Sequence, residues 1–127
     1  MKKVIVITSI ALLTGCASVK EWIPVRWDAN QSQAITTIQQ STRRFDCAGD
    51  IAQQSQSLSR ELEWFQIYAE NKPTRDVIEP AKLMAKTVNE LVERSSKGKV
   101  SVVYCDIKKK IMVQQADMIA HTVQGRF

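Results

Sequence analysis

Apolar residues recur at steps of three and four along most of the chain, the spacing that places side chains on one side of an α-helix. Between residue 30 and about residue 71 this stripe consists of Ile35, Ile38, Thr42, Phe45, Ala48 or Gly49, Ala52, Ser55, Leu58, Leu62, Phe65 and Ala69. Its middle is weak, because small and hydroxyl residues stand there. Gly49 and Asp50, followed by Gln53, are also typical of a capping box that begins a second helix. We expect one long helix of roughly 60 Å, with a kink near Gly49 as the alternative.

Two further helical segments follow. Pro73 ends the first helix, because proline cannot continue one. The next stripe consists of Val77, Ala81, Met84, Val88, Leu91 and Val92, and Gly98 is the expected left-handed residue after its end. Residues 99–106 are ambiguous: Val100, Val102 and Tyr104 alternate as in a strand. However, Val100, Val103, Ile107, Ile111, Met118 and Thr122 follow helical steps. A lone strand would have no partner, so we expect a third helix over residues 100–124.

The composition also favours helices. The chain has 4 Gly and 3 Pro, fewer turn residues than a β-sandwich or barrel requires. Short connections favour antiparallel neighbours. The sequence therefore predicts an all-α fold, an elongated three-helix bundle with one long N-terminal helix. Aligning the three helices in this way places Cys105 within about one turn of Cys47, and leaves residues 30 to about 46 beyond the three-helix core.

The first residues form a separate unit. Lys2 and Lys3 precede a run of apolar residues at positions 4–13, in which only Thr8 and Ser9 are polar. Ten residues span about 15 Å as a helix, half of a bilayer's hydrocarbon core, so this run is typical of a signal peptide and too short for a stable membrane span. It ends in Leu13-Thr14-Gly15-Cys16, which resembles the lipobox of bacterial lipoproteins.

This resemblance implies a signal peptide over residues 1–15 and a lipid, such as palmitate, on Cys16. Residues 16–29 would form a lipidated tether and residues 30–127 a helical periplasmic domain. Ala17 stands where an Asp usually retains enterobacterial lipoproteins in the inner membrane, so the chain resembles the outer-membrane class. The alternatives are a plain secretory signal with a chance cysteine, or an uncleaved anchor.

The remaining thiols are Cys47 and Cys105. In an oxidising compartment two such thiols are expected to form a disulfide, worth about 4 kcal/mol for a loop of this length. The alternative is two buried free thiols. A metal site is not expected, because His121 is the only histidine and no other cysteine lies at metal-ligand spacing from Cys47 or Cys105.

No constellation of catalytic residues is present in the sequence. Glu61 and Glu63 are two apart on a helix and point in different directions, and His121 lies one residue past the apolar stripe. The chain has neither a nucleophile elbow nor a phosphate-binding glycine loop. The net charge of +5 falls to +3, 16 basic against 13 acidic residues, without Lys2 and Lys3, which does not favour nucleic-acid binding. We therefore expect no enzyme and no cofactor.

The remaining candidates are contact surfaces. Ile35, Ile38 and Phe45 lie on the half-helix that extends beyond the core. We expect this half-helix either to fold back or to meet a protein partner, a second copy or the membrane, and these three residues are the candidate contacts for a partner. Lys108, Lys109 and Lys110 form either a solvated helix face or a contact for an anionic partner. Trp22 and Trp27 are expected either in the lipid headgroup region or packed on the domain.

The sequence thus favours a non-enzymatic outer-membrane lipoprotein that faces the periplasm and binds a protein of the cell envelope. In size and location it also resembles the outer lipoprotein subunit of the spanins of phage lysis, which bind a coiled-coil partner. It departs from the many such subunits that are shorter, rich in Pro and weakly helical. A periplasmic cell-wall hydrolase is the third hypothesis, and it requires a cleft with converging polar residues.

Overall fold

The computed structural model describes residues 26–73 and 75–126. They form four α-helices and no strand: α1 Ala29–Arg43, α2 Ile51–Glu70, α3 Ile78–Lys97 and α4 Val102–Gln124. A 3₁₀ turn at Arg75–Val77 leads into α3. The predicted all-α class is confirmed, whereas the predictions on Cys16 and Trp22 lie outside the described residues.

Three helices begin at side chains that accept a hydrogen bond from the exposed backbone N–H groups of the first turn. Asp28 accepts from Gln31 at 3.0 Å, Asp50 from Gln53 at 2.9 Å and Ser101 from Tyr104 at 3.2 Å. The cap at Ser101 starts α4 at Val102, so most of the ambiguous residues 99–106 are helical. Gly98, after the last residue of α3, has φ 153°, a backbone conformation that L side chains rarely adopt.

The prediction of one long N-terminal helix is wrong, because residues 44–50 separate α1 from α2. The capping box at Asp50, which the sequence offered as the alternative, begins α2. The loop is closed by side chains: Gln54 accepts from the backbone N–H of Asp46 at 2.7 Å and donates to its carbonyl at 2.9 Å. The small and hydroxyl residues in the middle of the stripe therefore mark a helix break.

The four helices pack as an antiparallel ring. Helix α1 packs beside α2 and α4, and α3 packs beside the same two helices, while in the diagonal pairs no Cα atoms of the described residues come within 8 Å of each other. Ser59 on α2 donates to Asn89 on α3 at 3.0 Å, and Gln39 on α1 donates to Asp117 on α4 at 2.7 Å. The architecture is an up-down-up-down four-helix bundle, so the predicted three-helix bundle is corrected to four.

The core is drawn from all four helices and from the loops between them. Its fully buried large side chains are Ile35, Ile38, Leu58, Leu62, Phe65, Val77, Met84, Val88, Leu91, Met112 and Ile119. Buried hydroxyls bond to backbone carbonyls of their own helix, Thr42 to Gln39 at 2.9 Å and Ser55 to Ala52 at 3.2 Å. In the described part of the chain only the Oε1 of Gln115 is a buried side-chain oxygen or nitrogen without a hydrogen-bond partner.

The disulfide between Cys47 and Cys105 is confirmed, with a Cα–Cα distance of 5.7 Å. It joins the loop after α1 to the first turn of α4. Cys105 is completely buried, and Cys47 packs against the core from its rim. The bond therefore fixes the position of α4 relative to the α1–α2 loop.

Removing the disulfide with the double substitution Cys47→Ser/Cys105→Ser is expected to lower the free energy of unfolding by about 4 kcal/mol. The reason is that the unfolded chain regains the freedom of a loop whose ends are 58 residues apart. Equilibrium urea unfolding followed by circular dichroism measures the change. Ala48→Ser, at an exposed position in the same loop, is the control and should stay within about 0.5 kcal/mol. Equal midpoints for the parent and the double variant would contradict the prediction.

Candidate interaction surfaces

The first predicted contact surface is part of the core. Ile35, Ile38 and Phe45 are at most 2% exposed, because the break after α1 lets this helix fold back and pack on α2 and α4. The hypothesis that these three side chains meet a protein partner is therefore corrected: in this fold they are not accessible, and they contribute to stability instead.

The three lysines of the basic run do not form one face. Lys108 is largely buried and pairs with Glu90 on α3, whereas Lys109 is partly buried and only Lys110 is exposed. The hydrogen bond to Glu90 raises the pKa of Lys108, and the same bond lowers the pKa of Glu90. Of the three, only Lys110 is freely accessible to an anionic partner.

Tyr104 on α4 adds a second contact between α3 and α4, next to the Lys108–Glu90 pair. The Arg94 guanidinium lies 4.1 Å from the centre of the Tyr104 ring, and the Lys108 ammonium lies 5.6 Å from it. Cations held over an aromatic ring are attracted by its negative face. The ring and the Lys108–Glu90 pair together attach the first turns of α4 to the last turns of α3.

Helix α4 is apolar on two sides. Its core side consists of Cys105, Met112, Ala116, Ile119, Ala120 and Val123. Its outer side carries a second row, here called the α4 outer stripe: Val103, Ile107, Ile111, Gln114, Met118 and His121. The sequence analysis used the helical steps of Val103, Ile107, Ile111 and Met118 to predict this helix, and in the structure these residues lie on its outer side.

The α4 outer stripe is open to solvent for most of its length. Val103 is 71% exposed, Ile107 53% and Met118 49%, and Ile111 is partly buried. From Ile107 onward the members follow steps of four, three, four and three, which is the heptad spacing of helices that pack on another helix. Sequence reasoning missed this surface, although the heptad steps were its visible signal.

A second candidate surface is a groove between α1 and α2. This open groove of about 660 Å³ is lined by Asn30, Gln33, Ala34, Thr37, Arg60, Glu61 and Trp64. Glu61 accepts a hydrogen bond from the Ser41 hydroxyl at 2.8 Å, and Glu63 does not line the groove. Glu61 and Glu63 therefore do not face each other across the groove.

His121, the other titratable residue considered in the sequence analysis, is exposed on α4.

The start of α1 is bonded to the end of α2 through Tyr68. The Tyr68 hydroxyl lies 3.0 and 3.1 Å from the carboxylate oxygens of Asp28, and Asn30 donates to that hydroxyl at 3.3 Å. The Tyr68 ring stacks on Trp64 with 5.1 Å between centres, and Lys72 lies 3.7 Å from Asp28. These residues are here called the Tyr68 cluster.

The Tyr68 cluster stabilises the ionised form of Asp28. Burial alone would raise the pKa of this carboxyl, but the Gln31 N–H, the Tyr68 hydroxyl and the Lys72 charge together lower the pKa below its ordinary value of 3.8. The carboxylate also accepts from the N-terminus of α1, where a negative charge is favoured by the helix dipole.

Within residues 26–73 and 75–126, no group of three or more His, Cys, Asp and Glu side chains is placed to hold a metal ion. None of the helices in these ranges is both long and apolar enough to cross a membrane. Comparison with known proteins finds no matching family model, no similar curated protein and no similar solved structure.

Asp28→Asn is expected to lower the free energy of unfolding near pH 6 by about 0.5–1 kcal/mol, because the amide still caps α1 but carries no charge. The pKa of Asp28 is lower in the folded than in the unfolded chain. Its contribution is therefore complete above the unfolded value of 3.8 and is lost as the pH falls through the folded value. Urea titrations between neutral and acidic pH measure this, with exposed Glu63→Gln as the control. A stability difference that does not shrink in acid would refute the assignment.

Proposed function

We propose that this protein is a non-enzymatic lipoprotein of the outer membrane whose helical domain faces the periplasm and binds a protein partner through the α4 outer stripe. The observation that carries the proposal is the α4 outer stripe, in which exposed Val103, Ile107 and Met118 share one side of α4. Lipid attachment at Cys16 rests on the lipobox sequence Leu13-Thr14-Gly15-Cys16. The disulfide supports export, because such bonds persist in oxidising compartments.

The stripe is not needed to hold α4 in the bundle. The opposite side of the same helix already supplies Cys105, Met112 and Ile119 to the core, each completely buried. Large apolar side chains grouped on the surface cost solubility, and such patches commonly mark interaction sites. Covering them contributes about 25 cal/mol per Å² of apolar area removed from water.

A helical partner fits this surface best. Side chains at heptad spacing insert between the side chains of a facing helix, and polar members such as Gln114 fix the register of that pairing at a cost in stability. The exposed Lys110 lies beside the stripe and would face an acidic residue of the partner. Among Lys108, Lys109 and Lys110, only Lys110 is therefore proposed to contact the partner protein.

The two alternatives are less well supported. A spanin subunit would also bind a coiled-coil partner, which suits the stripe, but a well-packed bundle departs further from weakly helical subunits of that class. A hydrolase would need converging polar groups in a cleft. The groove between α1 and α2 presents Arg60 and Glu61, with Glu61 already bonded to Ser41.

Photocrosslinking in cells tests the partner surface. A benzophenone amino acid at Ile107 should give a discrete adduct, whereas the same group at exposed Lys86 on α3 should not. Met118→Glu, about three turns farther along the stripe, should abolish the Ile107 adduct by placing a charge in the interface. Because Met118 is half exposed, this variant should unfold at the parent's urea concentration. Equal adducts from both positions, or an adduct unaffected by Met118→Glu, would contradict the proposed surface.

The lipid anchor is tested separately by labelling with palmitate. The parent chain should incorporate the label and sediment with the outer membrane, and Cys16→Ser should lose both properties because no thiol remains to accept the lipid. The double variant Cys47→Ser/Cys105→Ser, which keeps Cys16, should still be labelled. Normal processing and membrane fractionation of unlabelled Cys16→Ser would refute the anchor.

A further inference from the structure

We infer that the C-terminal half of α2, through Trp64 and Ile67, together with Trp27, rests on the phospholipid surface to which the protein is anchored. The inference rests on the lipid anchor proposed at Cys16 and adds a specific contact face to it. Trp27 is 52% exposed, Trp64 51% and Ile67 54%, so about half of each large apolar side chain lies in solvent. These three residues are here called the lipid-facing patch.

The lipid-facing patch lies where the chain enters the bundle. Asp28, which directly follows Trp27, is bonded to Tyr68, and the Tyr68 ring stacks on Trp64 at 5.1 Å between centres. Ile67 is one turn beyond Trp64 on the same helix. Both exposed tryptophans are thus placed at the end of the bundle from which the chain continues toward Cys16.

The chain between the anchor and the bundle limits how far this end can lie from the membrane. Arg26, the first described residue, is ten positions after Cys16, and ten residues span at most about 36 Å even when fully extended. That reach is similar to the length of one of the helices, roughly 30 Å for the 20 residues of α2. The start of α1 and the end of α2 therefore stay within about one helix length of the lipid headgroups, a limit that the tether sets for this end of the bundle and not for the opposite end.

The chemistry of the patch fits the interface between lipid and water. Tryptophan combines a large apolar ring with one N–H donor and is enriched at the headgroup level. The exposed charges at this end have both signs, Arg26, Lys72 and Arg75 against Glu63 and Glu70. Because these charges largely offset one another, contact depends on the apolar side chains and should vary little with salt.

The lipid-facing patch and the α4 outer stripe lie on opposite sides of the molecule. Helices α2 and α4 occupy diagonal positions in the ring, and among the described residues their Cα atoms do not come within 8 Å of each other. A bundle that rests on lipid through α2 therefore holds α4 away from the membrane, where its stripe faces the periplasm. The two surfaces do not compete for the same position.

Fluorescence quenching by brominated lipids tests the orientation with the full lipidated chain. The chain contains three tryptophans, at positions 22, 27 and 64. Trp22→Phe/Trp27→Phe leaves Trp64 as the single reporter, in vesicles of phosphatidylethanolamine and phosphatidylglycerol with or without bromine on the acyl chains. The matched control replaces all three by Phe and carries Ile107→Trp, a reporter on the α4 outer stripe.

The expected result is several-fold stronger quenching of Trp64 than of the tryptophan at position 107, with little change between low and high salt. Trp64 that is not quenched while the protein floats with the vesicles would overturn this inference and leave the anchor intact. Equal quenching at both positions would also overturn it, because no fixed face would rest on lipid. Failure to float with vesicles would refute the anchor and this inference together. Urea unfolding of each variant confirms that the comparison is between folded proteins.

Discussion

The covalent bond between Cys47 and Cys105 is the constraint on which the bundle most depends, because it closes the ring of helices. It connects the loop after α1 to the start of α4, the first and last helices of the described chain, and these two helices pack on each other. Contacts between distant parts of a chain are the costliest in chain entropy, and a helical domain of about 100 residues has a limited core with which to offset that cost. The bond lowers the entropy of the unfolded chain, so α1 can pack against α4 at less cost.

Most of the fold follows from local signals in the sequence, and the exceptions have physical causes. The end of α2 was predictable from Pro73 and the end of α3 from Gly98, and the disulfide from two thiols with an oxidising location. The number of helices was not, because a stripe weakened by Ala48, Ala52 and Ser55 is compatible both with close helix packing and with a break. The side chain of Asp50 caps the first turn of α2, and the side chain of Gln54 bonds the loop backbone at Asp46; together they favour the break.

The buried side of α4 could not be predicted from the sequence for a different reason. A helical period shows that apolar residues share a side, but it does not show which of two such sides is buried. On α4 the core side combines large residues with Ala116 and Ala120, which allow close approach of neighbouring helices, while Ile107 and Met118 point outward. Only the positions of α1 and α3 identify the buried side. A second apolar side that the fold leaves uncovered is a local inconsistency of the kind expected at functional sites.

The ring order of the helices connects the two proposed surfaces. In a three-helix bundle every helix contacts both of the others, so no two outer faces point in opposite directions. The extra helix created by the break at residues 44–50 places α2 and α4 on a diagonal instead. The end of α2 carries Trp64 at the point of chain entry, and α4 carries the heptad row on the far side. The break that sequence reasoning gave less weight is therefore the feature that lets one side of a small domain meet lipid while the other side meets a protein.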